Sequence, residues 1–117
     1  MFQFNERIAF VRRAVKGWKG VTVEGLHGLT VDYARQKKAR ALIRGLRATS
    51  DFDYEFQMAL TNRKLSKAVD TVFLMPSEAH LYLSSRLVKE IAFLGGDVSE
   101  FVPSFVAERL GEVLKPA

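Results

Sequence analysis

ALIRGLRATSDFDYEFQMALTNR, residues 41–63, places a strand end, a turn and a helix start in direct succession. The run Ala41-Leu42-Ile43, ended by Arg44-Gly45, reads as the last turn of a buried strand. Arg44 and Arg47 stand at its mouth, with Gly45 between them to let the backbone turn sharply. Ser50 and Asp51 have the character of a helix N-terminus. In the helix that follows, Phe52, Phe56, Ala59 and Leu60 recur at intervals of three and four and predict the buried stripe. Asp51, Tyr54, Glu55, Met58 and Asn62 fall on another side, so Glu55 and Asn62 point the same way. Two guanidinium groups at a strand end before a helix start suit a phosphate. Taken alone, an arginine there is more often a solvated surface charge than an anion ligand.

Outward from this stretch, the spacing predicts helices over Phe4–Val15, Leu29–Lys37, Ser84–Leu94 and Pro103–Leu114. Gly95-Gly96 gives the third of these a C-terminal stop, and Pro103 marks the first turn of the last. Strands are predicted at Val21–Val23, Arg40–Arg44 and Val69–Met75. The run Val72-Phe73-Leu74 suits a strand covered on both faces. Strands alternating with helices argue an α/β protein with a parallel sheet, and ligands then belong at the carboxyl ends of the strands. Those ends are Gly25–Thr30, Arg44–Arg47 and Met75–Arg86.

The 117 residues amount to one domain, and 48% hydrophobic content supplies a core. There is no cysteine, hence no disulfide framework and no thiolate metal site. No apolar run approaches the roughly 20 residues that span a bilayer, which predicts a cytoplasmic protein without a membrane partner. A net charge of +5 and a pI near 9.7 invite a nucleic-acid partner. The basic residues are dispersed, however, and no stacking motif accompanies them, so solvated helix faces and a small anionic ligand are the expectation.

Three segments together resemble one family. RGLR (44–47) with SDFDYEFQMALTNRKL (50–65), VFLMPS (72–77) and YLSSRLVKEI (82–91) are similar to the signatures of bacterial phosphopantetheine adenylyltransferase, over essentially the whole chain. The resemblance implies a Rossmann-like parallel sheet of the nucleotidyltransferase type, in a single domain over residues 1–117. It implies an enzyme moving the adenylyl group of ATP to 4′-phosphopantetheine, giving dephospho-coenzyme A and pyrophosphate. By position it implies ATP contacts for Gly45, Leu46, Arg47 and Glu55 and for His80, Leu81, Tyr82, Leu83, Ser84, Ser85 and Arg86. Leu29, Thr30, Arg44 and Asn62 match positions on the phosphopantetheine side. Mg²⁺ is implied as a helper held mainly by the nucleotide phosphates, with no protein metal site. Dephospho-coenzyme A and coenzyme A are implied ligands, and a homo-oligomer, hexameric in the family, is the implied assembly.

The chain departs from the family's pattern in two places. Arg86 stands where the family usually has a third consecutive serine. The second departure is at the start, where Met1-Phe2 aligns just before the family's second helix. The resemblance therefore implies that one βαβ unit, about forty residues carrying the first two strands and the catalytic G-H motif, is absent. Neither His27 nor His80 lies in such a motif, so no catalytic residue is assigned and the chain alone is expected to be inactive. Two alternatives stay open: a non-catalytic nucleotide- or coenzyme-A-binding module, and a related nucleotidyltransferase with another phosphorylated acceptor.

Overall fold

A computed structural model describes the backbone of residues 1–114 and the side chains of all of these except Thr49 and Ser50. The elements in order are α1 (Phe4–Ala14), α2 (Thr30–Gln36), β1 (Ala41–Gly45), α3 (Thr49–Leu65), β2 (Asp70–Leu74), a short 3-10 turn (Glu78–His80), α4 (Ser85–Phe93) and α5 (Ser104–Val113). This is an α/β fold with a parallel sheet, as the alternation predicts. The described residues fall into two compact units, one of residues 26–82 and one of residues 1–25 with 83 onward.

The unit of residues 26–82 holds the sheet. Strands β1 and β2 run parallel, with Ala41 opposite Asp70 and Gly45 opposite Leu74. Flanking bonds lengthen the ladder: Asp70 N–H donates to Arg40 O at 3.0 Å and Leu46 N–H to Leu74 O at 2.9 Å. In this register Leu42, Arg44, Thr71 and Phe73 share one face, while Ile43, Val72 and Leu74 share the other. Helix α3 packs on the first face, and Val31, Ala34 and Val69 are the buried apolar residues of the unit.

Three expectations fail here, each for a physical reason. Val72 and Leu74 are exposed, as is Ile43 at 68%, so β2 is covered on one face only. An apolar run shows that a strand can be buried on both sides but does not supply the second layer. On α3, Phe52, Phe56 and Leu60 are 45%, 47% and 50% exposed instead of forming the buried stripe. The helix is rotated to set Glu55 inward at 8% exposure, and Phe52 and Phe56 stack on each other with ring centroids 5.5 Å apart. Finally, Val21–Val23 forms no strand. β-Branched residues favour extended backbone, but a strand needs a partner ladder, and here Arg12 Nη2 donates to Val23 O at 3.2 Å.

The helix predicted to start at Ser50-Asp51 begins at Thr49, after an extended Ala48 with φ −147°. No side-chain cap is made there; instead Arg47 Nε donates to Asp51 Oδ2 at 3.1 Å, which sets a carboxylate in the first turn where the helix dipole favours it.

The other unit contains α1, α4 and α5 around Val88, Val98 and Leu110, with Phe2, Ile91, Phe101 and Val106 packed against them. Phe10 joins the helices through edge contact with Phe2 at 5.0 Å and a tilted contact with Phe105 at 6.0 Å. Arg109 of α5 donates from Nε to Glu6 of α1 and from Nη1 to Glu112 at 2.9 Å. Ser84 caps α4 by accepting from Leu87 N–H at 3.1 Å, so the serine pair starts this helix as predicted. At its other end Gly95, with φ +81°, donates to Ala92 O at 3.1 Å, and Gly96 donates to Ile91 O at 2.8 Å. That is the paired closure of a Schellman stop. Because the left-handed backbone at Gly95 penalises a Cβ, Gly95→Ala should lower the unfolding free energy by about 1–2 kcal/mol. Urea denaturation followed by circular dichroism measures this; an unchanged midpoint would show that the turn relaxes without strain.

Candidate nucleotide and phosphate site

Strand β1 delivers Arg44 to the face on which α3 lies, and α3 presents Glu55 one turn beyond its N-terminal turn. The two side chains meet in a bidentate pair. Arg44 Nε donates to Glu55 Oε2 at 2.9 Å and Nη2 to Oε1 at 2.6 Å. The carboxylate is nearly buried, whereas the Arg44 side chain is 53% exposed. Hydrogen bonding from Arg44 holds the Glu55 carboxyl below its ordinary range, burial opposing and the charge of Arg44 reinforcing the shift. The same bond raises the pKa of Arg44.

This pair forms one wall of an open cleft of about 380 Å³. Thr30 at the start of α2, Leu42 and Ile43 of β1, and Tyr54, Met58, Ala59 and Asn62 of α3 complete it with Thr71 of β2. Four residues singled out in the sequence are thus brought together: Thr30, Arg44, Glu55 and Asn62. Glu55 and Asn62 do point the same way, as their spacing predicts. Tyr54 and Met58, which share that side of the helix, line the cleft with them. Thr71 enters only through the strand register, for which the sequence carries no local signal.

The remaining expected residues stand outside the cleft. Leu29, the exposed N-cap of α2, adjoins Thr30 without lining it. Gly45 ends β1, and Leu46 and Arg47 follow it, with Arg47 engaged by Asp51. The segment His80–Arg86 is divided between the two units. His80, Leu81 and Tyr82 close the first, and His80 Nδ1 lies 2.8 Å from the Ser77 hydroxyl. Leu83 to Arg86 open the second half of the other, where Leu83 packs on the core, Ser84 caps α4, and Ser85 and the exposed Arg86 form its first turn. A cation in that turn opposes the helix dipole and adds to whatever draws an anion there. His27 is exposed in irregular chain between α1 and α2.

The arrangement offers a guanidinium at a strand's carboxyl end, an amide, three hydroxyls and an apolar wall. That donor set suits a phosphorylated molecule with a polar, extended tail. Among the described residues no group of three or more His, Asp or Glu side chains could hold a metal.

Residues 1–91 match the model of the cytidylyltransferase-like family. The chain is 53% identical over 115 residues to a phosphopantetheine adenylyltransferase of Caldanaerobacter subterraneus subsp. tengcongensis, covering 98% of this chain and 72% of that protein. It is 50% identical over 112 residues to a phosphopantetheine adenylyltransferase of Alkaliphilus metalliredigens, covering 96% of this chain and 71% of that one. The chain belongs to the phosphopantetheine adenylyltransferase family. Its resemblance at RGLR and at the α3 sequence is therefore part of a match extending along nearly all its length. In this member of the phosphopantetheine adenylyltransferases, Arg44 and Glu55 are the residues that join the sheet to the helix across the cleft.

The depressed carboxyl of Glu55 fixes a pH dependence. Stability from the pair is fully present above the ordinary carboxylate value of 4.5 and is lost as pH falls through the lower folded value. The gap in melting temperature between the wild type and Glu55→Gln should therefore be widest near neutrality and close progressively below that value. Differential scanning calorimetry between pH 7 and roughly pH 3 reads this directly. A gap independent of pH would mean that the carboxylate's charge contributes nothing to the fold.

Proposed function

We propose that this chain serves adenylyl transfer from ATP to 4′-phosphopantetheine, in the synthesis of coenzyme A, with Arg44 at the acceptor phosphate. The observation supporting this reading is the cleft itself: a guanidinium fixed at a strand end, with Thr30 and Asn62 lining the same space. In the reaction a phosphate oxygen of 4′-phosphopantetheine attacks the α-phosphorus of ATP. The bond from that phosphorus to the oxygen bridging to the β-phosphate breaks, and pyrophosphate leaves with the electron pair. No protein nucleophile is needed; the work is alignment and neutralisation of charge.

Within that reading, Thr30, Arg44 and Asn62 hold the acceptor with the backbone at Leu29. Gly45, Leu46, Arg47 and Glu55 serve the nucleotide side, together with the segment His80–Arg86. Ser84 and Ser85 bring hydroxyls and amide groups to the start of α4, and Arg86 brings a further cation. Mg²⁺ would be carried by the triphosphate and water and would supply charge neutralisation at the phosphates. Residues 1–117 are read as one nucleotidyltransferase domain of a cytoplasmic homo-oligomer, a hexamer as in the family, with dephospho-coenzyme A and coenzyme A as further ligands. No helix among the described residues is long and apolar enough to cross a membrane.

Neither His27 nor His80 follows a glycine as in the family's G-H motif, and a nucleotide- or coenzyme-A-binding module is the second reading. Both readings require the ligands to bind, and turnover separates them. Isothermal titration of residues 1–117 with 4′-phosphopantetheine and with ATP should show binding of both, and chromatography for dephospho-coenzyme A then tells enzyme from module. Arg47→Ala should weaken ATP binding by about 1.5–3 kcal/mol, the value of a hydrogen bond to a charged partner. Equal ATP affinity in wild type and variant would remove Arg47 from the nucleotide site, and no binding of either ligand would overturn the proposal.

A further inference from the structure

A guanidinium carries five N–H donors in a rigid plane, and a carboxylate can engage only one edge of it. In Arg44 the edge formed by Nε and Nη2 is taken by Glu55. The opposite edge, Nη1 with the second Nη2 hydrogen, makes no hydrogen bond or ion pair among the described residues. We propose that Glu55 is a positioning residue for the acceptor phosphate: by gripping one edge of Arg44 it aims the free edge at the phosphate of 4′-phosphopantetheine. This deepens the proposed function and rests on it, adding an acceptor-side duty to a residue whose position in the family implies ATP.

The argument turns on what a free arginine would cost. The side chain has four rotatable bonds and about 2 kcal/mol of rotamer entropy, part of which phosphate binding must otherwise remove. Glu55 removes it beforehand, because its own carboxylate is fixed on the inner side of α3 at 8% exposure. The opposing physical effect is charge: a carboxylate beside the guanidinium reduces its attraction for a phosphate. A lock, in which phosphate pulls Arg44 away from Glu55, would exploit that opposition. It would also strand a nearly buried carboxylate without its cation, which is strongly unfavourable. The pair therefore persists when phosphate binds, and the two edges of one guanidinium serve helix and ligand at once.

The two mechanisms predict opposite signs, so the test is decisive. Residues 1–117 are titrated calorimetrically with 4′-phosphopantetheine and, separately, with ATP, as wild type, Glu55→Gln and Arg44→Lys. Positioning predicts that Glu55→Gln raises the acceptor dissociation constant about tenfold, whatever it does to that of ATP. Arg44→Lys keeps the charge beside Glu55 but has no second edge, and should weaken acceptor binding at least as much. In ¹⁵N spectra of the wild type, the Arg44 Nε–H signal should be protected from exchange and stay so when the acceptor saturates. Unchanged or tighter acceptor binding by Glu55→Gln, or a loss confined to ATP, would overturn the inference and leave the proposed function standing. Failure of the wild type to bind 4′-phosphopantetheine at all would overturn both.

Discussion

The carboxylate of Glu55 can remain charged on the inner side of α3 only because the guanidinium of Arg44 meets it there. A carboxylate that is 8% exposed pays a desolvation cost that neither the apolar residues nor the backbone around it returns. Two hydrogen bonds of 2.9 and 2.6 Å, both charge-assisted, answer that cost. The pair also does what a purely apolar contact would not. It fixes the rotation of α3 about its axis relative to β1, because a bidentate bridge is satisfied in one relative orientation. Tyr54, Met58 and Asn62, which share that side of the helix, are then directed to the cleft, and Phe52, Phe56 and Leu60 are directed away from it.

That constraint explains why the site and the sheet are one construction. β1 supplies Arg44 and ends at Gly45, so the strand that orders the helix also ends at the ligand-binding rim. Arg47, three residues later, makes its own bridge to Asp51 in the first turn of α3. Two arginine–carboxylate pairs thus tie the β1–α3 connection at successive turns of the helix, one nearly buried and one exposed. An exposed pair of this kind contributes at most about 1 kcal/mol and yields readily to a ligand, whereas the Glu55 pair does not. The division suits a site in which one cation is held still and another can be recruited.

The sequence made the β1–turn–α3 connection and the positions of its cations legible, because a strand end, a glycine and a helix start leave strong local marks. The ends of α4 were legible for the same reason: Ser84 and Gly95-Gly96 act through their own backbone neighbours. What failed depends on groups distant in the chain. The stripe of Phe52, Phe56 and Leu60 has the period of a buried face, yet no count of apolar residues reveals that an arginine eleven residues earlier selects Glu55 instead. Val21–Val23 has the composition of a strand, but strand formation is a property of two segments. Thr71 reached the cleft through a register set by pairing with Leu42, which is likewise invisible from either segment alone.

The central claim is that one arginine serves helix and ligand with opposite edges. A crystal structure of residues 1–117 with 4′-phosphopantetheine tests it most directly. The account predicts the phosphate within hydrogen-bonding distance of Arg44 Nη1, with Nε and Nη2 still bonded to Glu55. A phosphate bound away from Arg44, or an Arg44 swung off Glu55 to reach it, would contradict the account.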